Sequence, residues 1–306
     1  MTDTPAVAWH QGELQSLWAR QQGRLDLARM VRADEYTAHF QPIIDLTTNC
    51  TVGFEALTRW ADGTPPDHRL AEARDAGYAH QLERAMVQRA IDAARALPPD
   101  AWLSINVSAS FVVHDLTLPD LVAAADRDVV IELTEQEAVD DYDSLVVALA
   151  RFDDDVRVAI DDAGAGYASL RHVLVLDPSF VKLDMAWIRG IEADRSRQAL
   201  VAGLQLFATQ SGGALIAEGI ETEAELETLR DIGVDMGQGF FIGFPAPAPD
   251  EIEVPTNSAP STVALGSSKS AVTSLTPLAW ISPVNTMALR RSLSTSDDST
   301  RRRAAG

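Results

Sequence analysis

The 306-residue sequence contains a single cysteine, Cys50, so it has no disulfide framework, and a reducing cytoplasm is the simplest compartment. Positive charge is scarce: 25 Lys and Arg face 45 Asp and Glu, a formal charge of -20. That balance argues against an electrostatic grip on a nucleic-acid polymer or an anionic membrane. An anionic ligand would need its counter-charge from elsewhere. Long apolar runs are also missing, and none approaches the roughly 20 residues that span a bilayer. The opening stretch, MTDTPAVAWHQGELQ, lacks the basic flank and continuous apolar segment of a secretion signal. Six histidines are scattered without an H-x-x-x-H or H-E-x-x-H pair, which disfavours zinc. GAGYAS and GQGFFIG each hold a G-x-G but do not complete the dinucleotide fingerprint, and no G-x-S-x-G elbow supports a serine hydrolase.

What remains is a globular composition, 46% hydrophobic and 23% charged, with a change of character at each end. Residues 1–34 place Leu14, Leu17, Trp18, Leu25, Leu27 and Met30 at loosely helical spacing, which predicts an N-terminal helical extension. Residues 250–306 are rich in Ser, Thr, Pro or charge without sustained periodicity and read as a disordered tail. Between them, over 35–249, short apolar runs alternate with amphipathic stretches. HFQPIID, VGFEALTRW, WLSINVS, VVIELTE, RVAIDDAG, FVKLD, GALIAEG and MGQGFFIG are the candidate strands, several of them continuously apolar, as strands buried on both faces should be. LERAMVQRAIDAARAL has helical spacing, and TEAELETLRDIG opens with a capping box of Thr222 and Glu225 and stops at Gly233. An α/β fold follows, with a TIM-type (β/α)8 barrel leading and a doubly wound sheet as the alternative.

Polar residues recur near the ends of these strands: Glu55, Asn106, Glu132, Asp161 with Asp162, Lys182, Glu218 and Gln238. In a barrel, the C-terminal strand ends converge on one site. Carboxylates gathered there resist shared ionisation unless cations neutralise them. Oxygen donors of this kind suit Mg2+ or Mn2+. Two such ions are a recurring arrangement for in-line phosphodiester hydrolysis. Lys182 would orient a bound water or hold an anionic ligand. Taken singly, each acidic residue is more often a helix cap or a solvated charge. Carboxylate barrels with a lysine base also abstract protons beside carboxylates, so residue chemistry leaves that reaction open.

The ordered series FQPI, EALTRW, INVS, IELTE, DDAGAGYASL, VKLD, AEGIE and GQGFF, from Tyr36 to Pro247, resembles the EAL-domain family of cyclic di-GMP phosphodiesterases. The resemblance implies a modified barrel whose first strand is antiparallel, a homodimer, and two Mg2+ or Mn2+ ions with Ca2+ inhibitory. It implies metal ligation by Glu55, Asn106, Glu132, Asp161 and Asp162, with Asp161 bridging. It makes Glu55, Asp161, Lys182 and Glu218 catalytic, Lys182 holding the attacking water. Gln41, Leu57, Arg59, Asp162 and Gln238 would bind substrate, and Glu135 would steady the loop after the paired aspartates. Two departures stand out: a short segment after the signature, and Ala163 where the family carries phenylalanine. Ala163 keeps open a second reading, a weakly active or inactive cyclic di-GMP receptor or protein-interaction module.

Overall fold

The computed structural model describes residues 35–134, 141–153, 156–163 and 173–249, with side chains in the third segment as far as Asp161. The expected N-terminal helix and C-terminal tail lie outside the described residues.

The chain enters through an antiparallel hairpin, β1 (Tyr36–Asp45) and β2 (Thr51–Trp60). The connection is too short for a crossover, so the second strand must run back along the first. Asp45 Oδ1 accepts from the backbone N–H of Thr47 at 3.0 Å and of Thr48 at 2.7 Å, and Asn49 takes a positive φ of 60° to close the turn. From β2 onward the strands are parallel: β3 (Trp102–Val107), β4 (Val129–Leu133), β5 (Arg157–Ala163), β6 (Phe180–Leu183), β7 (Ala214–Ala217) and β8 (Met236–Gly237). β8 pairs antiparallel with β1, which closes the barrel. A short β9 (Ala246–Pro247) adds to the same edge of β1 at His39 and Phe40.

Helices cover the outside: α1 (Pro66–Asp75), α2 (Ala79–Ala94), α3 (Ala109–His114), α4 (Leu118–Ala123), α5 (Tyr142–Leu149), α6 (Met185–Ile188), α7 (Arg195–Gln210) and α8 (Glu223–Ile232). Helix α2 buries Leu82, Glu83, Val87, Ala90, Ile91 and Ala94, a stripe at three- and four-residue spacing. The capping box at Thr222 and Glu225 forms as its sequence requires, and Gly233 ends α8 with φ 87°.

Alternation along the strands divides the barrel interior into layers. The lower layer is wholly apolar: Ile43, Trp102, Val130, Ala159, Phe180, Ile216 and Met236. Trp102 stacks on Phe180 with ring centroids 5.4 Å apart. Arg157 lies over both rings, 5.6 Å and 5.1 Å from their centroids. Glycine is required opposite them, because a Cβ on Gly53 would come within 2.3 Å of the Trp102 ring. The expected strand MGQGFFIG shortens to its first two residues. A Cβ on Gly239 would lie 2.2 Å from the backbone of Ile220, so the chain turns there against the β7–α8 loop.

Candidate active site

One step along each strand from the apolar layer, the inward residue becomes polar: Gln41, Glu55, Ser104, Glu132, Asp161, Lys182, Glu218 and Gln238. Period two alone produces this set, because each lies two residues from its apolar or glycine counterpart. Ser104 and Glu132 are fully buried and Lys182 is nearly so, while Asp161 and Glu218 are partly open.

Lys182 is the hub. Its Nζ lies 2.5 Å from Glu218 Oε1, 2.8 Å from Glu132 Oε2, 3.3 Å from Asp161 Oδ1 and 3.5 Å from Glu55 Oε2. Burial opposes its charge, but Glu132, Glu218, Glu55 and Asp161 together raise its pKa well above the ordinary lysine value. Glu55 is held by donors on two sides: Asn106 Nδ2 donates to Oε1 at 2.8 Å and Gln238 Nε2 to Oε2 at 2.6 Å. Burial opposes its ionisation, yet Lys182 and these amides hold its carboxyl below the usual range. Glu132 accepts from Ser104 Oγ at 2.5 Å. Burial, reinforced by the charges of Glu55 and Asp161, pushes its pKa well above normal against the pull of Lys182. Burial likewise pushes Glu218 up to about 8, although Lys182 opposes the shift.

These donors fit a divalent metal by chemistry. Asp161 Oδ1 is buried and aligned with no hydrogen-bond donor, and Gln238 Oε1 is equally unpartnered. Carboxylate and amide oxygens suit hard cations. Among the described residues no group of three or more Asp, Glu, His or Cys is drawn in to metal-ligand spacing. The Lys182 ammonium stands between the carboxylates instead.

The structure therefore brings together Gln41, Glu55, Asn106, Glu132, Asp161, Lys182, Glu218 and Gln238, all singled out in the sequence. Gln41 is tied in through Gln238 Nε2, which donates to its Oε1 at 2.9 Å. Leu57 and Arg59 continue β2 beyond Glu55 and are half-buried. Arg59 donates to the Thr58 carbonyl at 3.0 Å and has no ion pair among the described residues, so its charge is not spent on the carboxylates. Asp162 lies in β5, where the pairing with β6 shifts register between Ile160 and Ala163. Such an irregularity re-aims side chains beside a site. The side chains of Asp162 and Ala163, and all of Glu135, lie outside the described residues. Ser104 escaped the sequence reading, although it sits at period two between Trp102 and Asn106. Glu225, read as part of a helix cap, has a wider reach: it accepts from the backbone N–H of Gly190 at 2.9 Å as well as from Glu221 and Thr222. It thereby joins the loops that follow Lys182 and Glu218.

A closed, mostly parallel barrel with a carboxylate-rich layer at the C-terminal ends of its strands has the plan of a TIM-type enzyme. The EAL-domain model matches residues 24–245, and the chain belongs to the EAL-domain family. An uncharacterised protein of Mycobacterium tuberculosis is 31% identical over 242 residues, covering 73% of this chain and 38% of that protein. The bifunctional diguanylate cyclase/cyclic di-GMP phosphodiesterase MucR of Pseudomonas aeruginosa is 28% identical, covering 73% of this chain and 35% of its own length. The chain thus spans well under half the length of these relatives. Among solved structures, the MucR phosphodiesterase in complex with c-di-GMP superposes with a TM-score of 0.64 at 29% identity, covering 74% of this chain and 98% of that one. Klebsiella pneumoniae BlrP1 with manganese and cyclic di-GMP gives a TM-score of 0.60 at 28% identity, covering 71% and 57%.

Proposed function

We propose that this chain is a cyclic di-GMP phosphodiesterase that opens its substrate to linear pGpG. The observation that carries the reading is the polar layer itself, in which carboxylates from three strands and the β7 terminus are gathered around one buried ammonium. Glu55, Asn106, Glu132, Asp161 and Asp162 would hold two Mg2+ or Mn2+ ions, and Ca2+, which tolerates looser geometry, would inhibit. Bound there, the cations would neutralise the carboxylates and stabilise the charge that develops on the phosphate.

In the reaction, a water oxygen bonds to phosphorus, the P–O3′ bond breaks and the leaving oxygen takes up a proton. Lys182, nearly inaccessible and held charged by the carboxylates around it, orients the attacking water by donating hydrogen bonds rather than by accepting a proton. Glu218, the partly open carboxylate beside it, is the group with room to take the proton. Gln41, Leu57, Arg59, Asp162 and Gln238 bind substrate, Arg59 by a charge-assisted contact to phosphate. Glu135 steadies the loop after the paired aspartates.

The homodimer belongs to the same proposal. Its support is Leu174 and Val175, 71% and 42% exposed just beyond the segment that follows β5. So do a cytoplasmic location and a barrel over 35–249 flanked by two extensions; no helix among the described residues is long and apolar enough to cross a membrane. Ala163 favours the receptor reading as the alternative, since the aromatic anchor of the metal loop is gone. Purified protein with Mn2+ or Mg2+ and cyclic di-GMP decides between them. The enzyme yields pGpG, and Glu55→Ala abolishes the product; tight binding without turnover establishes the receptor instead.

A further inference from the structure

Among the described residues the exposed large aromatic side chains, Phe240, Phe241 and Phe244, share one loop. That loop leaves the barrel immediately after Gln238, a member of the polar layer. Phe240 and Phe244 stack with centroids 4.7 Å apart and planes inclined by 22°, yet they remain 52% and 68% exposed. Their backbone is fixed. Phe241 N–H donates to the Ile220 carbonyl at 3.0 Å, and Ile242 and Gly243 donate to the Gly239 carbonyl at 3.0 and 2.9 Å. Gln41 Nε2 donates to the Gly243 carbonyl at 3.0 Å, which ties the loop directly to the site. Glycine at 243 lets this contact form, since a Cβ there would come within 2.6 Å of the Pro42 ring.

A loop held this firmly could have turned its rings inward. It presents them to solvent beside a carboxylate layer that repels phosphate, in a chain of net charge -20. Aromatic faces grip a flat heterocycle without needing charge of either sign. We propose that the stacked Phe240–Phe244 pair is a platform at the rim of the barrel on which one purine base of the cyclic dinucleotide lies. This rests on the phosphodiesterase reading and adds to it the residues that hold a base.

The test is the double variant F240A/F244A, with F240W/F244W as the aromatic rescue. Stacking loss raises KM for cyclic di-GMP by roughly tenfold, with kcat reduced by less than about twofold, as expected for lost ground-state binding. The tryptophan variant restores KM. An unchanged KM, or a fall in kcat alone, overturns the platform while leaving the phosphodiesterase standing. A double variant that loses self-association at unchanged KM shows instead that the patch joins two copies of the chain, which also overturns it. If the parent protein turns nothing over, calorimetry with cyclic di-GMP and Ca2+ reads the same comparison as a roughly tenfold change in Kd. Absence of binding by the parent protein would remove both readings together.

Discussion

Two neighbouring layers fill the same barrel and answer to opposite demands. The lower one, from Ile43 to Met236, contains no polar side chain and is closed by a tryptophan, a phenylalanine and the guanidinium of Arg157. The upper one crowds Glu55, Glu132, Asp161 and Glu218 around a single ammonium. Burying apolar surface stabilises a fold outright, whereas gathering like charges in a desolvated space opposes it. The difference teaches that this barrel's stability is built below its chemistry. The sharpest way to break the division is Glu132→Gln. The amide keeps the shape and a partner each for Ser104 and Lys182 while removing a group that can carry charge. Turnover should fall by on the order of a hundredfold to a thousandfold, the scale of losing a group that acts on developing charge. Melting in a chelator should shift upward, because burial and the charges of Glu55 and Asp161 oppose the ionised form of Glu132 that the amide replaces. A variant that loses both activity and metal-free stability would show that the upper layer holds the fold as well.

Trp102→Ala makes the converse cut. It removes the indole that fills the space above Gly53 and stacks on Phe180, at a cost of about 4 kcal/mol. Urea unfolding should report that loss. At temperatures where the variant remains folded, kcat should stay within a few-fold of the parent, since Ser104 and Asn106 continue on the same strand. A kcat lost in proportion to stability would mean that the apolar layer positions the site directly.

Most of the site was legible because period two and strand-end polarity coincide: Glu55, Asn106, Glu132, Asp161, Lys182, Glu218 and Gln238 each stand in or beside an apolar run. The first strand's direction was not read from periodicity, which is the same whichever way a strand runs; it came from the family resemblance. Its physical signal was the short Asp45–Cys50 turn, with Asn49 in the left-handed region, which only a hairpin can accommodate. Ser104 was passed over because a serine inside WLSINVS carries no mark of its partner, which lies on another strand. The apolar run MGQGFFIG predicts a strand through the exposed phenylalanines, since it gives no sign that Gly239 packs against Ile220 and turns the chain outward. Side-chain charge and period are local properties, whereas these features depend on what a distant loop brings into contact.

Lys182→Met probes the upper layer without substrate. In a chelator the parent protein relies on this ammonium as the counter-charge for four carboxylates. Removing one partner from a buried ionic cluster costs about 3 kcal/mol. Calorimetric melting in EDTA should fall accordingly, and Mg2+ should recover most of the loss by supplying charge in the lysine's place. Equal melting of parent and variant in EDTA would mean that the carboxylates take up protons instead and that the ammonium is dispensable to the fold.

The smallest effect belongs to Glu225, which sits on α8 outside both layers. Burial opposes its ionisation, but backbone N–H groups of Gly190, Glu221 and Thr222, with the Thr222 hydroxyl, hold its carboxyl below the usual value. The sign follows from that direction: an acid whose folded pKa is depressed contributes stability above its unfolded value, and this is lost as the pH falls through the folded one. Glu225→Gln should therefore melt below the parent at neutral pH, by about 1 kcal/mol for the charge-assisted part of the hydrogen bonds. The gap should close as the pH drops below the ordinary glutamate value of 4.5. Because the same carboxylate joins the loops that follow Lys182 and Glu218, the variant should also bind Mg2+ more weakly at neutral pH, while a change in a helix cap alone would leave metal affinity untouched. A pH-independent gap in melting, with metal affinity unchanged, would confine Glu225 to capping α8 and restore a clean separation between the scaffold and the site.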